Sequence, residues 1–531
     1  MDVDSALLQV LAVGAAGLVL SVVIERFLLP RPSLLRTTGA WGAHVGLWCA
    51  AYALLVLLTG RPWCAMAATS AMLVTLVLVN NAKQKNLREP FLFQDYDYFL
   101  DALRFPRLFL PFLGLKSFCL AAAFFILALA GVLREVPPPS RFDPYGQLGG
   151  VFILLTVAVL LLWRVKRRLP AAGFEPEEDL RNLGLLPALW TYAVASRTLP
   201  DVASPLGRVL APKLHCAPHL VAIQSESFFD ARTLFAGIRP SVLESFDMMR
   251  AGADIHGPLT VPAWGANTVR TEFSFLTGIP APCMGAHRFN PYQAVTRGWA
   301  VQSLPLLLKS LGYRTVCIHP YWARFYGRDR VLRQLGFDAF LDISAFAGAK
   351  RVGSYVGDRE VGERIIQVVR QAACPTFVFA ITMENHGPLH LDPLRLETTE
   401  DFYSFPPPDG CDELGTYLRH LHNADGMLHL LHTALQRGAS PASLCFYGDH
   451  VPIMPSAYKV LTEPAGIVPY LCWSNQYARN AIPRNRERGE EATGMGSLER
   501  PLAVHELALA WLESLNIVSW EPNIRNYCKI N

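Results

Sequence analysis

SLCFYGDH (443–450) is an uncharged, β-prone run that ends in Gly448-Asp449-His450. Three other runs share its form: HLVAIQSE (219–226), YRTVCIHP (313–320) and PTFVFAITME (375–384). Helical stretches separate them. Uncharged runs of this kind alternating with helices predict an α/β domain with a mostly parallel central sheet. In such a sheet, ligands bind at the carboxyl ends of the strands. The residues found there are Ser225-Glu226-Ser227, His319, Glu384-Asn385-His386-Gly387-Pro388 and Asp449-His450. One such residue alone reads as a loop hydrogen-bonder, because buried polar groups need partners. Four strand ends carrying them predict a site.

Glu226, Asp449 and His450 are oxygen and nitrogen ligands suited to Mn²⁺, Mg²⁺ or Zn²⁺. A nucleophile can come from Trp264-Gly265-Ala266-Asn267-Thr268, where small residues precede a helix expected over Thr268–Leu276. A helix N-terminus favours negative charge. A metal-bound Thr268 hydroxyl there ionises more readily and can attack phosphorus. The competing reading makes Thr268 an ordinary N-cap with Glu272 in the first turn.

The first third of the chain differs in kind. The protein has 531 residues, of which 51% are hydrophobic and 17% charged, against about 25% charged in average soluble domains. Residues 1–168 hold 16 basic and 9 acidic residues; the remainder holds 32 and 35. A disordered, fibrous or wholly soluble chain is excluded, and the lack of basic excess after residue 168 argues against nucleic acid as a partner. Five charge-free runs predict membrane spans: Ser5–Ile24, Thr37–Gly60, Pro62–Ala82, Ser117–Leu133 and Pro144–Trp163. The expected organisation is a five-helix transmembrane domain (1–168), a juxtamembrane linker (169–213) and a catalytic domain (214–531). Within the linker, Leu180–Ala195 reads as one interfacial helix, with Trp190 and Tyr192 as anchors. Cys317 and Cys445 fall inside expected strands, where buried free thiols are usual, and no zinc-finger spacing occurs.

Together, Glu226, GANTVRTEF (265–273), His319…Arg328, ENH (384–386) and YGDH (447–450) resemble the lipoteichoic acid synthase and phosphoglycerol transferase family, within the alkaline phosphatase/sulfatase superfamily. Asn81…Arg88-Glu89-Pro90…Asp95 resembles a loop of the glucan phosphoglycerol transferases. The resemblance implies a five-span enzyme of the bacterial inner (cytoplasmic) membrane with an extracytoplasmic, periplasmic catalytic domain. It implies Glu226, Thr268, Asp449 and His450 as metal ligands, with Mn²⁺ first, and Thr268 also as nucleophile. His386 matches the histidine that contacts the substrate phosphate and protonates the leaving group. His319 and Arg328 match residues that hold the headgroup. Tyr326 stands where the lipoteichoic acid enzymes usually carry Trp, and Tyr321 where they carry an acidic or amide residue. With Trp322 these form the expected headgroup pocket, and Asp329 either pairs with Arg328 or faces away. The implied donor is phosphatidylglycerol, and the acceptor an envelope glycan or polymer. A phosphoethanolamine transferase or a sulfatase-like phosphodiesterase is the alternative within the fold. A non-catalytic scaffold is disfavoured by the intact residue set. The sulfatase motif of Cys or Ser followed by Pro and Arg is absent around Thr268, which weighs against sulfate ester hydrolysis.

Topology sets two expectations in conflict. Loop 25–36 carries three basic residues and loop 83–116 six, which by the positive-inside bias puts both loops and the catalytic domain in the cytoplasm. The family resemblance implies the reverse, with the N-terminus inside.

Overall fold

Four described helices are long and apolar enough to cross a membrane: α1 (Val3–Glu25), α2 (Thr38–Thr59), α3 (Pro62–Leu87) and α4 (Pro144–Val165). They coincide with the first, second, third and fifth expected spans. The expected span Ser117–Leu133 lies outside the described residues. The computed structural model describes residues 3–98, 144–165, 173–210, 217–392, 400–481 and 498–520, with isolated positions between 104 and 126. The chain divides into two units, Met1–Thr198 and Leu199–Asn531.

Small residues let the helices of the first unit approach closely. Gly42 and Gly46 lie one turn apart on α2. A Cβ at Gly42 would stand 3.0 Å from Cγ2 of Val165, and one at Gly46 3.0 Å from Cγ of Leu162. Gln147 Nε2, at the start of α4, donates to the Gly60 carbonyl at 3.1 Å. Hence α4 runs antiparallel to α2 and in the same direction as α3. The end of α3 and the start of α4 are therefore at opposite ends of the bundle.

The expected interfacial helix is two helices, α5 (Pro176–Leu183) and α6 (Leu185–Ala195), parted by Gly184 at φ 85°. Tyr192 does not serve as a membrane anchor. It is buried within the unit, donating its hydroxyl to Asp179 at 2.8 Å.

The second unit is built on a sheet of β1 (His219–Ser225), β2 (Ile255–Thr260), β3 (Arg314–Ile318), β4 (Ala339–Leu341), β5 (Thr376–Ile381), β6 (Ala442–Gly448), β7 (Ile467–Ser474), β8 (Leu498–Glu499) and β9 (Leu502–Ala503). The order is β8-β2-β7-β6-β1-β5-β3-β4, with β9 also pairing β2. Strands β6, β1, β5, β3 and β4 are mutually parallel. Strand β7 runs antiparallel to both β6 and β2. Every residue of β5 and β6 is buried, which is why those runs are uncharged. All four sequence-read runs lie in the parallel core, so their terminal residues emerge at one end of the sheet. Cys317 and Cys445 are buried free thiols in β3 and β6.

Candidate active site

Glu226, Asp449 and His450 converge where β1 and β6 end, each offering a ligand atom within 4.8 Å of the others. Among the described residues this is the cluster with metal-ligand geometry. His450 Nε2 lies 3.5 Å from Glu226 Oε1 and 3.4 Å from Asp449 Oδ2. The peptide N–H of Glu226 donates to Thr382 Oγ1 at 3.0 Å, and that of Ser227 to Asp449 Oδ1 at 2.8 Å. Asp449 Oδ2 is buried without a hydrogen-bond partner. Burial, with the Asp449 carboxylate beside it, pushes the Glu226 carboxyl up to about 8. Two buried carboxylates, one orphaned oxygen and an imidazole form a donor set that fits a divalent cation.

Thr268 opens helix α7 (Thr268–Thr277) but does not cap it. The N-cap is Asn267, in the left-handed region at φ 65°, and its side chain makes no capping bond. The Thr268 hydroxyl is thus not consumed by the helix end. The helix is pinned to the ends of both β1 and β6. Thr271 Oγ1 donates to the Asp449 carbonyl at 2.9 Å, and Gln224 Nε2 to the Thr268 carbonyl at 3.4 Å. Ser227, Asn267 and Tyr326 are all non-glycine residues at positive φ. Each is a near neighbour of a candidate residue, Glu226, Thr268 or Arg328, and such backbone conformations cluster at functional sites.

His386 follows β5. Its Nδ1 lies 2.7 Å from the Gly387 carbonyl, which can only accept, so Nδ1 carries the proton and Nε2 the lone pair. Burial, assisted by the Arg328 charge, pushes the imidazole below its ordinary range. Glu384, from the same motif, belongs to a separate cluster. It accepts from His420 Nδ1 at 3.1 Å, from the Asp358 N–H at 2.7 Å and from the Asn423 side chain.

His319 and Arg328 meet: Arg328 Nη1 is 3.2 Å from His319 Nε2. The Tyr326 ring lies 5.2 Å from the guanidinium carbon, and the Tyr321 ring 6.2 Å from that of His319. Trp322 is 55% exposed. The acidic partner of Arg328 is not Asp329, whose carboxylate accepts from the Arg330 N–H, but the buried Glu272, at 2.8 Å. Residue-by-residue reading missed Tyr292 and Thr382, and it named Glu272 only as a first-turn residue, without its partner Arg328. One signal was available for Glu272: every residue of its helix is buried, and a carboxylate in such a helix needs a cationic partner.

Residues 218–493 match the family model described as Sulfatase. The capsular polysaccharide biosynthesis protein RkpI of Rhizobium meliloti is 26% identical over 429 residues, covering 76% of this chain and 76% of the relative. A putative cyclic beta-1,2-glucan modification protein of the same organism is 27% identical over 251 residues, covering 47% of this chain and 38% of the relative. Among solved structures, the integral membrane lipooligosaccharide phosphoethanolamine transferase A of Neisseria meningitidis aligns with a TM-score of 0.53 at 13% identity, covering 91% of this chain and 96% of that one. At that identity the likeness is one of fold.

Proposed function

This chain belongs to the sulfatase family, and from that premise we propose a membrane-anchored transferase that moves phosphoglycerol from phosphatidylglycerol to an envelope glycan or polymer. The observation that carries this reading is the convergence of Glu226, Asp449 and His450 beside a helix that begins with an uncapped Thr268. A divalent cation held by Glu226, Thr268, Asp449 and His450 would lower the proton affinity of the Thr268 hydroxyl and offset phosphate charge. Mn²⁺ suits the oxygen-rich set, with Zn²⁺ and Mg²⁺ as alternatives.

The chain's own residues supply the rest. Thr268 gives its hydroxyl proton to solvent as Oγ bonds to phosphorus, the bond from phosphorus to the diacylglycerol oxygen breaks in line, and that oxygen takes a proton from His386, which gains it at Nε2 once the anionic substrate is bound. The phosphoglycerol then passes from Thr268 to an acceptor hydroxyl by the reverse chemistry. His386 presents Nε2 to the departing oxygen. Burial lowers its proton affinity, and an anionic phosphodiester alongside raises it again, equipping it as the acid. His319, Arg328, Tyr321, Trp322 and Tyr326 line the headgroup cleft. The names of the two Rhizobium relatives, one for a capsular polysaccharide and one for a cyclic glucan, support a glycan acceptor. The reading places residues 1–168 in the bacterial inner membrane and 214–531 outside the cytoplasm.

Phosphoethanolamine transfer is the second reading. It is favoured by Trp322, whose exposed ring can face an ammonium. Competition between headgroup-labelled phosphatidylglycerol and phosphatidylethanolamine, followed by diacylglycerol release, separates the two. Phosphatidylglycerol should be preferred; the opposite preference replaces the substrate while leaving the threonine chemistry in place.

A further inference from the structure

We infer that Glu272 is a positioning residue that presents Arg328 to the headgroup cleft immobile and compensated in charge. The Glu272 carboxylate, sealed from solvent, takes Arg328 Nη2 at 2.8 Å and Nε at 3.2 Å. The Tyr292 hydroxyl donates to the same carboxylate. On the other side of the guanidinium, Nη1 meets His319 Nε2 at 3.2 Å, while the Tyr326 ring covers a face. His319 is itself fully used. Its Nδ1–H donates to the Ile381 carbonyl at 3.1 Å, leaving Nε2 as the acceptor for Arg328. Burial and the adjacent Arg328 push this imidazole well below its ordinary range, so it adds no charge of its own.

An arginine carries five N–H bonds. Glu272 takes two and His319 one, leaving one on each terminal nitrogen for a ligand. A free guanidinium offers phosphate a bidentate fork and a full positive charge. This one offers two fixed donors whose charge is already balanced. The chemistry that fits is a phosphodiester held by two fixed hydrogen bonds and not by net charge, and that its headgroup is glycerol rests on the phosphoglycerol reading. Glu272 acts through Arg328, since its oxygens are committed to Arg328 and Tyr292.

Titration of the purified full-length protein with inorganic phosphate tests this without requiring a donor. Glu272→Gln keeps the side chain's shape and removes its charge, so phosphate should bind about tenfold more tightly, the scale of a hydrogen bond to a charged group. The Glu272→Gln/Arg328→Gln double variant should return to wild-type affinity or weaker. Glu272→Asp draws the carboxylate back by one methylene and should tighten phosphate about two- to threefold; it serves if the glutamine variant does not fold. Unchanged affinity in the single variants, or equal tightening in the double variant, overturns the inference. Tightening as described in a protein that turns over neither phosphatidylglycerol nor phosphatidylethanolamine upholds the role of Glu272 and rejects the headgroup reading.

Discussion

Arg36 and Glu25 form an ion pair at 2.8 Å with both side chains shielded from solvent. Arg36 also donates through Nε to the Ser33 carbonyl at 2.8 Å. Lys83 is engaged in the same way, 2.6 Å from both Glu89 and Asp95, and Arg26 donates to the Pro32 carbonyl at 2.6 Å. The positive-inside bias is a count of basic residues near membrane helices. Three of the basic residues that point the count toward a cytoplasmic catalytic domain are thus tied up by local partners.

The topology therefore has a direct test. Met1 is expected in the cytoplasm and Asn531 outside it. A reporter active only in the cytoplasm, fused after Asn531, should be silent. Glu25→Gln removes the carboxylate that balances Arg36 and should raise the signal. A bright signal from the unmodified fusion contradicts the assignment.

Removing the Thr268 hydroxyl tests the nucleophile. Thr268→Ala should reduce turnover by at least about 10³-fold while leaving a folded, membrane-inserted protein. Thr268→Ser keeps a hydroxyl at the helix start and should retain measurable activity. Near-normal diacylglycerol release by the alanine variant would discard Thr268 as nucleophile.

Metal content and activity should fall together. Asp449→Asn alters the residue whose Oδ2 is buried without a partner, and Glu226→Gln the carboxylate facing it. Each should weaken metal binding about 100-fold or more, on the scale of losses seen even for groups that only orient ligands. Elemental analysis beside a turnover assay checks this. Full activity after exhaustive chelation contradicts it.

Gly448 has no room for a side chain. A Cβ there would meet the Phe228 carbonyl oxygen far inside van der Waals contact and stand 3.1 Å from Cβ of Val468. Gly448→Ala should destabilise the domain by about 1–3 kcal/mol through overpacking and shift Asp449, lowering metal content as well. A melting temperature and metal content equal to wild type would show that the backbone accommodates the methyl group.

His420 ties two elements of the Glu384 cluster in a pH-dependent way. Burial alone would lower its proton affinity, but hydrogen bonds to Asp392 and Glu384 outweigh burial and hold it above 6.5, with Arg419 opposing them. A folded-state value above the unfolded one contributes stability that is complete below the unfolded value and is lost as pH rises through the folded one. The melting temperature of wild type should therefore exceed that of His420→Gln most at about pH 5.5, with the gap narrowing toward about pH 9. A gap that widens with pH would contradict a charged His420.

Apolar length and the absence of charge mark α1 to α4 whatever surrounds them, because the solvent to be matched is hydrocarbon. The runs that became β1, β3, β5 and β6, uncharged except for Arg314 at the exposed start of β3, are readable for a related reason. Burial on both faces leaves no position for a charge, and the first polar residue after each run marks where the strand meets solvent or a site. That is why Glu226, His319, His386, Asp449 and His450 were visible as candidates.

Pairing was not legible. Glu272 and Arg328 are 56 residues apart, Glu25 and Arg36 stand on either side of a loop, and Glu384 joins His420 instead of the nearby metal-ligand cluster. Nor did sequence show that Asn267, not Thr268, caps α7, or that Gly184 divides the linker helix. The sequence by itself determined which segments are long and apolar enough to cross a membrane, which form the buried sheet, and which chemical types stand at the strand ends, because these depend on neighbours a few residues away. Which carboxylate balances which cation was decided only by the tertiary structure, because a buried charge is stabilised by whatever group packing brings within hydrogen-bonding distance, irrespective of separation along the chain.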